Sequence, residues 1–509
     1  MIKYSGSSYF IEILANLFET CFKTGILPSQ FNVGKIIPVI KNPRGPTDQL
    51  QNLRPITISD TMSIIFEKFL LKKINAQIID HKSQFGFVAN SSTQHAIFVF
   101  KEAANYYLQN NSRVYACAID SSKAFDKVWR EGLFVKMIDK IDKAEWRILK
   151  SYYDKSSCYI ELNGIVSKEF KTKVGVKQGG PLSPKLYNVY IKDVIERIED
   201  LKRGIQIGDF KTSIILYADD IMLLSSTRTG MTEMINATND YMKEWKIKMN
   251  ISKTNYIAIG KEVVTPRVIK VNNEVVNKVQ TLKYLGVTID ENLLLTEHIK
   301  ERSKINLRAS YSLYNIGFMS KSMNTYTKSF IYKTYCRPAL LYGMEFVEIS
   351  DKNIKQMRTD ESLLIKRVLS VHKTSKSTIL YQTLNLRELD LELYIMKLKL
   401  FLRLTNNELT SSLIKSLMGD NNENHVNKSF LNEIKEIKHI LGVTSINKKA
   451  IKMLVCKVKE IEKSDRNLGE IDSVIYCLNF RFKNEKLNKT LFHLIKYKQV
   501  IKCNLIKCK

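Results

Sequence analysis

Apolar residues recur along this chain with two periods, and the change from one to the other divides it. Behind Asp60, a natural helix N-cap, Ile64, Ile65, Phe69 and Ile78 fall at helical spacing, which predicts a helix to about Ile79. Residues 93–108, 184–203 and 231–249 carry the same period. Residues 35–40 and 114–119 are short β-rich runs, and strands are also expected near Ile257 and over 284–289. "CYIELNGIVSKEF" alternates around Asn163-Gly164, the signature of a tight hairpin. From about Leu295 the pattern stays mainly helical to the end. The chain therefore reads as α+β for about 290 residues and mostly α thereafter.

One apolar run is broken by charge. Residues 214–224 are apolar on both sides of Asp219 and Asp220. Charged side chains are rarely buried unless they are paired or bind metal. A strand–turn–strand hairpin resolves the conflict by carrying both carboxylates to its tip. Upstream, "YACAIDSSKAFDKV" ends a β-run at Asp120, with Asp126 soon after. A rigid strand that ends in aspartate fixes a carboxylate at the edge of open space. Three such groups brought together repel one another and stay ionised only when cations neutralise them. Mg²⁺ suits such a donor set, being a hard cation that takes carboxylate and phosphate oxygens. Each aspartate motif alone is weak, because adjacent aspartates are common in solvated turns.

Composition narrows the partners. The 509 residues suggest two to four domains or subdomains. No window approaches the roughly 18 uninterrupted apolar residues of a membrane span, and "MIKYSGSSYF" lacks the apolar core of a secretory signal. The eight cysteines are scattered without a Cys-x-x-Cys pair, and Cys503 and Cys508 read as stray thiols; a reducing compartment, cytosol or nucleus, is expected. The formal net charge of +29 points to a polyanion, nucleic acid first, although a lysine-rich composition alone would give the same sum.

The order of the motifs carries more than any one of them. "AIDSSKAFDKV", "GVKQGGPLSPKLYNVYI", "LYADDIMLL", "NISKTNYIAIG" and "LKYLGVTID" follow one another. Together they resemble successive palm motifs of reverse transcriptases, especially those of non-LTR, LINE-like retrotransposons of the jockey type. Upstream, "GKIIPVIKNP", "NLRPITISDTMSIIFEKFL" and "SQFGFVANSSTQHAI" are similar to the finger motifs of that family. The resemblance runs over about residues 27–290 and continues more loosely through "YCRPALLYGMEF".

The resemblance implies a right-hand polymerase. A helical lead-in would occupy 1–26, and fingers and an antiparallel palm sheet 27–290. A helical thumb-like region would follow over 291–380, then a basic, mainly helical C-terminal region over 381–509. The implied activity is RNA-directed DNA polymerisation. The implied partners are an RNA template, a DNA primer or target, and deoxynucleoside triphosphates, in the nucleus or cytoplasm rather than in a membrane. Two Mg²⁺ ions, with Mn²⁺ as a substitute, would be held by Asp120, Asp219 and Asp220, with Ser121 offering a backbone carbonyl. Phe125 would pack under the incoming sugar and block a 2′-hydroxyl; otherwise it is an ordinary core phenylalanine. Gln178 would lie along the nascent base pair, Gly179 would let the backbone approach the nucleotide, and family sequences often carry aspartate where this chain has Gly180. Asn188 is read either as a nucleotide contact or as polar helix surface. Lys41 and Arg54 would clamp the triphosphate, and Lys253 would protonate pyrophosphate as a general acid. Tyr284, Leu285 and Gly286 would grip the primer end.

The family usually carries an endonuclease ahead of the polymerase, for which the first 26 residues leave no room; a fragment of a longer element or a decayed copy is expected. No ribonuclease H pattern or zinc knuckle is found. Residues 381–509 carry about ten surplus positive charges, which fit either a nucleic-acid-binding extension or a solvated helical lobe. A group II intron-type reverse transcriptase with maturase activity is the first alternative, and a non-catalytic RNA-binding remnant of the same fold the second. A viral RNA-dependent RNA polymerase fits less well, because Phe125 would obstruct ribonucleotides.

Overall fold

The structure, a computed structural model, describes residues 8–42, 45–46, 48–122, 124–260, 268–348, 350–419, 429–441 and 446. They fall into two compact units. The first runs to Leu285 and includes the helix Glu408–Gly419; the second runs from Gly286 to Asn406 and includes the helix Phe430–Leu441. Most of the expected basic tail, residues 442–445 and 447–509, lies outside the described residues.

The first unit is built on two sheets. The central one has the strand order 277–278, Asn255–Ile259, Val114–Ile119, Asp220–Ser225, Ile214–Tyr217. Its pairings are antiparallel except at the 277–278 edge, with Ile221 opposite Ile119 and Asn255 opposite Ala118. The helices Thr93–Gln109 and Arg228–Glu244 pack against it. The second sheet joins Leu53–Ser59, Val33–Ile40 and Ser157–Leu162, whose hairpin turns at Asn163 and Gly164 with φ of 52° and 82°. Both values are left-handed, as a two-residue type I′ turn requires.

Local chemistry explains where expectation and structure agree and where they part. Asp60 does cap the helix Thr61–Gln77, its Oδ2 accepting from the Met62 N–H at 2.8 Å. The buried face of that helix is Phe66, Leu70 and Ile74, however, while Ile64 and Ile65 are half-buried. Phe69, expected inside, is 39% exposed and instead meets Phe18 and Phe22 of the helix Ser8–Thr24, at 5.8 and 5.7 Å. The helix turns this way because Ser63 and Glu67 are drawn inward to Tyr152. The helix expected over 184–203 is two, Ser183–Ile191 and Asp193–Glu199. The strand expected over 284–289 is likewise two, Thr281–Tyr284 and Val287–Asp290, because Leu285 and Gly286 both take positive φ.

The second unit is mainly helical. Its core gathers Phe318, Tyr332, Leu364, Leu380 and Tyr381 around a fully buried carboxylate, Glu361. Tyr332 donates to Glu361 Oε1 at 3.0 Å, Tyr381 to Oε2 at 2.7 Å, and the Arg337 guanidinium lies 3.0 Å from Oε1. Partners on both oxygens are what make such burial tolerable. Among the described residues no helix is long and apolar enough to cross a membrane.

Candidate active site

The site forms at one end of the central sheet. The strand Val114–Ile119 delivers Asp120 to that end, and the hairpin Ile214–Tyr217/Asp220–Ser225 delivers Asp219 and Asp220. Because Ile221 faces Ile119, extending the register one step sets Asp120 opposite Asp220 and Ser121 opposite Asp219. Ser121 Oγ accordingly lies 3.5 Å from the Asp219 carbonyl oxygen. The chain around Asp120 is held from the other side by residues 248–250. Asn250 N–H donates to the Asp120 carbonyl at 2.9 Å, and Ser122 N–H to that of Lys248 at 2.9 Å. Three segments far apart in sequence therefore converge on one carboxylate cluster.

The carboxylates sense each other. Burial pushes the Asp219 carboxyl above its ordinary range; its own backbone N–H and the Arg54 charge pull it down, and Asp120 pushes it further up. Asp220 is pushed up to about 6, by desolvation first and then by the negative charges of Asp219 and Asp120. Asp220 nonetheless keeps a solvent-facing side, while Asp120 and Asp219 are half-buried. Among the described residues no three His, Cys, Asp or Glu side chains are drawn into a ready-made metal-binding group. The donor set still fits a hard divalent cation. Its oxygens are carboxylates whose repulsion a cation would relieve, and Mg²⁺ commonly takes one or two carboxylates and completes its shell with phosphate oxygens and water.

Other expected residues distribute around this cluster. Phe125 is half-buried, stacked on Tyr187 at 4.8 Å and 20°, with Phe87 edge-on at 6.4 Å. Gln178 donates from Nε2 to Asp126 Oδ1 at 2.7 Å, and its carbonyl accepts from Thr57 N–H at 2.8 Å. Gly179 takes φ +114°, and a Cβ there would sit 2.7 Å from the Thr57 carbonyl oxygen, so only glycine fits. At Gly180 a Cβ would meet Glu67 Oε2 at 2.8 Å; the space for an aspartate is filled by that carboxylate. Arg54 is exposed on the strand Leu53–Ser59, near enough for its charge to reach Asp219. Lys41 is exposed too, but its ammonium donates to the Gln51 carbonyl at 3.1 Å. Lys253 stands exposed on the turn that follows the segment holding Asp120. Tyr284 is buried against Phe100 at 6.1 Å, and its hydroxyl is raised by burial and then by the Asp220 charge. Leu285 closes the first unit with φ of 45°. Gly286 opens the second, where a Cβ would sit 3.0 Å from Tyr342 Cε1.

Several residues important to the site carried no local signal. Asn188, rather than lying on the helix surface, is buried, and its Nδ2 donates to the Gly86 carbonyl at 2.9 Å. Glu67, buried in the helix Thr61–Gln77, accepts from Leu182 N–H at 3.2 Å and from the Tyr152 hydroxyl. Lys177 is buried beside them, its ammonium 3.3 Å from Tyr152 Oη, and burial lowers its pKa. This network fixes both ends of the 177–182 loop. Arg130, also buried, ties down the preceding stretch through the carbonyls of Gly175 (2.8 Å) and Tyr153 (3.0 Å).

The central sheet thus carries three carboxylates at one end, and the 177–182 loop is tied to the second sheet through Thr57 N–H and the Gln178 carbonyl. Residues 40–289 match the family model described as reverse transcriptase (RNA-dependent DNA polymerase). Members of the family work with divalent metal ions.

The curated relatives it resembles are RNA-directed DNA polymerases of mobile elements. The RNA-directed DNA polymerase from mobile element jockey of Drosophila melanogaster is 23% identical over 370 residues, covering 70% of this chain and 40% of that protein. The probable RNA-directed DNA polymerase from transposon X-element of the same fly is 24% identical over 382 residues, covering 73% and 41%. The chain thus spans less than half the length of these relatives. A solved telomerase from Candida tropicalis in complex with a fragment of telomeric RNA aligns over 88% of this chain and 67% of that one. Its identity is 13% and its TM-score 0.42, a distant likeness.

Proposed function

We propose that this chain is the RNA-directed DNA polymerase of a non-LTR retrotransposon, extending a DNA primer on an RNA template with deoxynucleoside triphosphates. The observation that carries the reading is the sheet register that sets Asp120 beside the Asp219-Asp220 turn within a reverse transcriptase domain. Asp120, Asp219 and Asp220, with the Ser121 carbonyl, are the ligands for two Mg²⁺ ions. Bound there, the ions supply positive charge that lowers the pKa of the primer 3′-hydroxyl and offsets charge on the leaving oxygen.

The protein's own groups do the rest. Arg54, and Lys41 once released from Gln51, bind the triphosphate and neutralise charge on the departing pyrophosphate. Lys253 gives that pyrophosphate a proton. Phe125, backed by Tyr187, excludes a 2′-hydroxyl. Gln178, held by Asp126, supports the nascent base pair, and Gly179 lets the backbone approach the nucleotide. Tyr284, Leu285 and Gly286 hold the primer end. Residues 27–290 supply fingers and palm, 291–380 the thumb, and 381–509 a basic extension that tracks phosphates in the nucleus or cytoplasm. The test is primer extension on a heteropolymeric RNA template: products should follow the template sequence and require it. Failure to extend any annealed DNA primer would refute the reading.

A further inference from the structure

We infer that Gln84 is a positioning residue for the catalytic turn, acting on Asp219 through the backbone of Ala218; the inference deepens the polymerase reading and rests on it. The turn between Tyr217 and Asp220 has only two residues, Ala218 and Asp219. Ala218 takes φ of 56°, a left-handed conformation that residues with a Cβ rarely adopt and that persists only where the surroundings hold it. The holder is the 83–86 segment. Phe85 N–H donates to the Leu216 carbonyl and Leu216 N–H to that of Ser83, each at 2.8 Å, so this segment runs as a short extra strand beside the hairpin.

At its centre Gln84, only 4% exposed, accepts through one oxygen from two backbone donors: Gly86 N–H at 2.8 Å and Ala218 N–H at 3.0 Å. Two N–H donors on the same atom fix it as the amide oxygen, since the NH₂ group cannot accept. Gly86 is in turn pinned by Asn188. The two side chains keep one buried atom each without a partner among the described residues, Gln84 Nε2 and Asn188 Oδ1, and both residues line a small cavity with Asp80, His81 and Lys192. With one donor and one acceptor unpartnered among the cavity-lining residues, a bridging water there would complete the brace behind the turn.

The experiment uses the full chain and two substitutions. Gln84→Met keeps the length and removes the acceptor; Gln84→Glu keeps an accepting oxygen. Hydrogen exchange at the Ala218 amide should quicken by about tenfold or more in Gln84→Met. Its kcat for nucleotide addition should fall by roughly 10- to 100-fold, with KM for the nucleotide within about twofold. Gln84→Glu should lose clearly less of both. Unchanged Ala218 exchange or unchanged kcat in Gln84→Met overturns the inference, as does equal impairment of the two variants. Should Gln84→Met fail to fold, Asn188→Ala carries the same test, with faster exchange over 216–219 expected and unchanged exchange refuting. An inactive wild type would refute the polymerase reading alone, because the exchange comparison judges the brace without activity.

Discussion

Replacing Gly86 with alanine perturbs the active site through a single methyl group. An ideal Cβ on Gly86 would lie 2.2 Å from the Ala218 nitrogen, 2.8 Å from the Tyr217 carbonyl carbon and 3.0 Å from Ala218 Cα. All three are backbone atoms, so no side chain can swing aside. Ordinary contact begins near 3.4 Å, so the turn or the 83–86 segment must retreat by about 1.2 Å. Overpacking of this kind costs about 1–3 kcal/mol of stability, which a domain of this size survives. The larger effect falls on chemistry, because Asp219 is the next residue along. A misplacement of about 1 Å at a reacting group can cost on the order of 100-fold, or about 2.7 kcal/mol of transition-state stabilisation. Single-turnover nucleotide addition should therefore show kcat down by about two orders of magnitude, with KM and template affinity little changed. Urea unfolding on the same protein separates this from global loss. A variant that is less stable yet turns over within about twofold of wild type would refute the idea that Gly86 sets the position of Asp219.

Two further outcomes are expected. Phe125→Val should raise ribonucleotide use relative to deoxynucleotide by about tenfold or more while sparing much deoxynucleotide activity; a fixed ratio of kcat/KM values, with both substrates weakened, would return Phe125 to a packing role beside Tyr187. Asp220 is raised from 3.8 to about 6, so the fold binds its proton more tightly than the unfolded chain does. That stabilisation is complete below pH 4 and is lost as pH rises through about 6. Undiscounted it is about 3 kcal/mol, but solvent on one side of Asp220 screens it to about 1 kcal/mol. In chelator, wild type should lose about that much more stability than Asp220→Asn between pH 4.5 and 7.5, and parallel pH profiles would contradict it.

The central sheet was legible because its conflict was local: apolar runs that stop at Asp120 and flank Asp219-Asp220 fit strands that carry charge to an edge. Asp60 was legible for the same reason, since an N-cap bonds within its own turn. What stayed hidden depends on distant partners. Gln84 meets Ala218 across 134 residues, and Glu67 meets Leu182 across 115. Neither side chain looks special in its own segment. Ile78 is buried as its spacing implies and Ile65 packs against the core, but Phe69 is not, because Ser63 and Glu67 are drawn inward to Tyr152. The break at Leu285 escaped because leucine gives no sign of a left-handed φ.

The central claim is that the Asp120/Asp219/Asp220 cluster is the catalytic centre of an RNA-templated DNA polymerase. The most direct test is single-nucleotide incorporation on an RNA template with an annealed DNA primer, comparing wild type with Asp219→Asn in Mg²⁺. The account predicts templated addition by wild type, and a loss of at least 1,000-fold, on the order of 4 kcal/mol, in the variant, with folding and template binding retained. Addition by Asp219→Asn near the wild-type rate would contradict it.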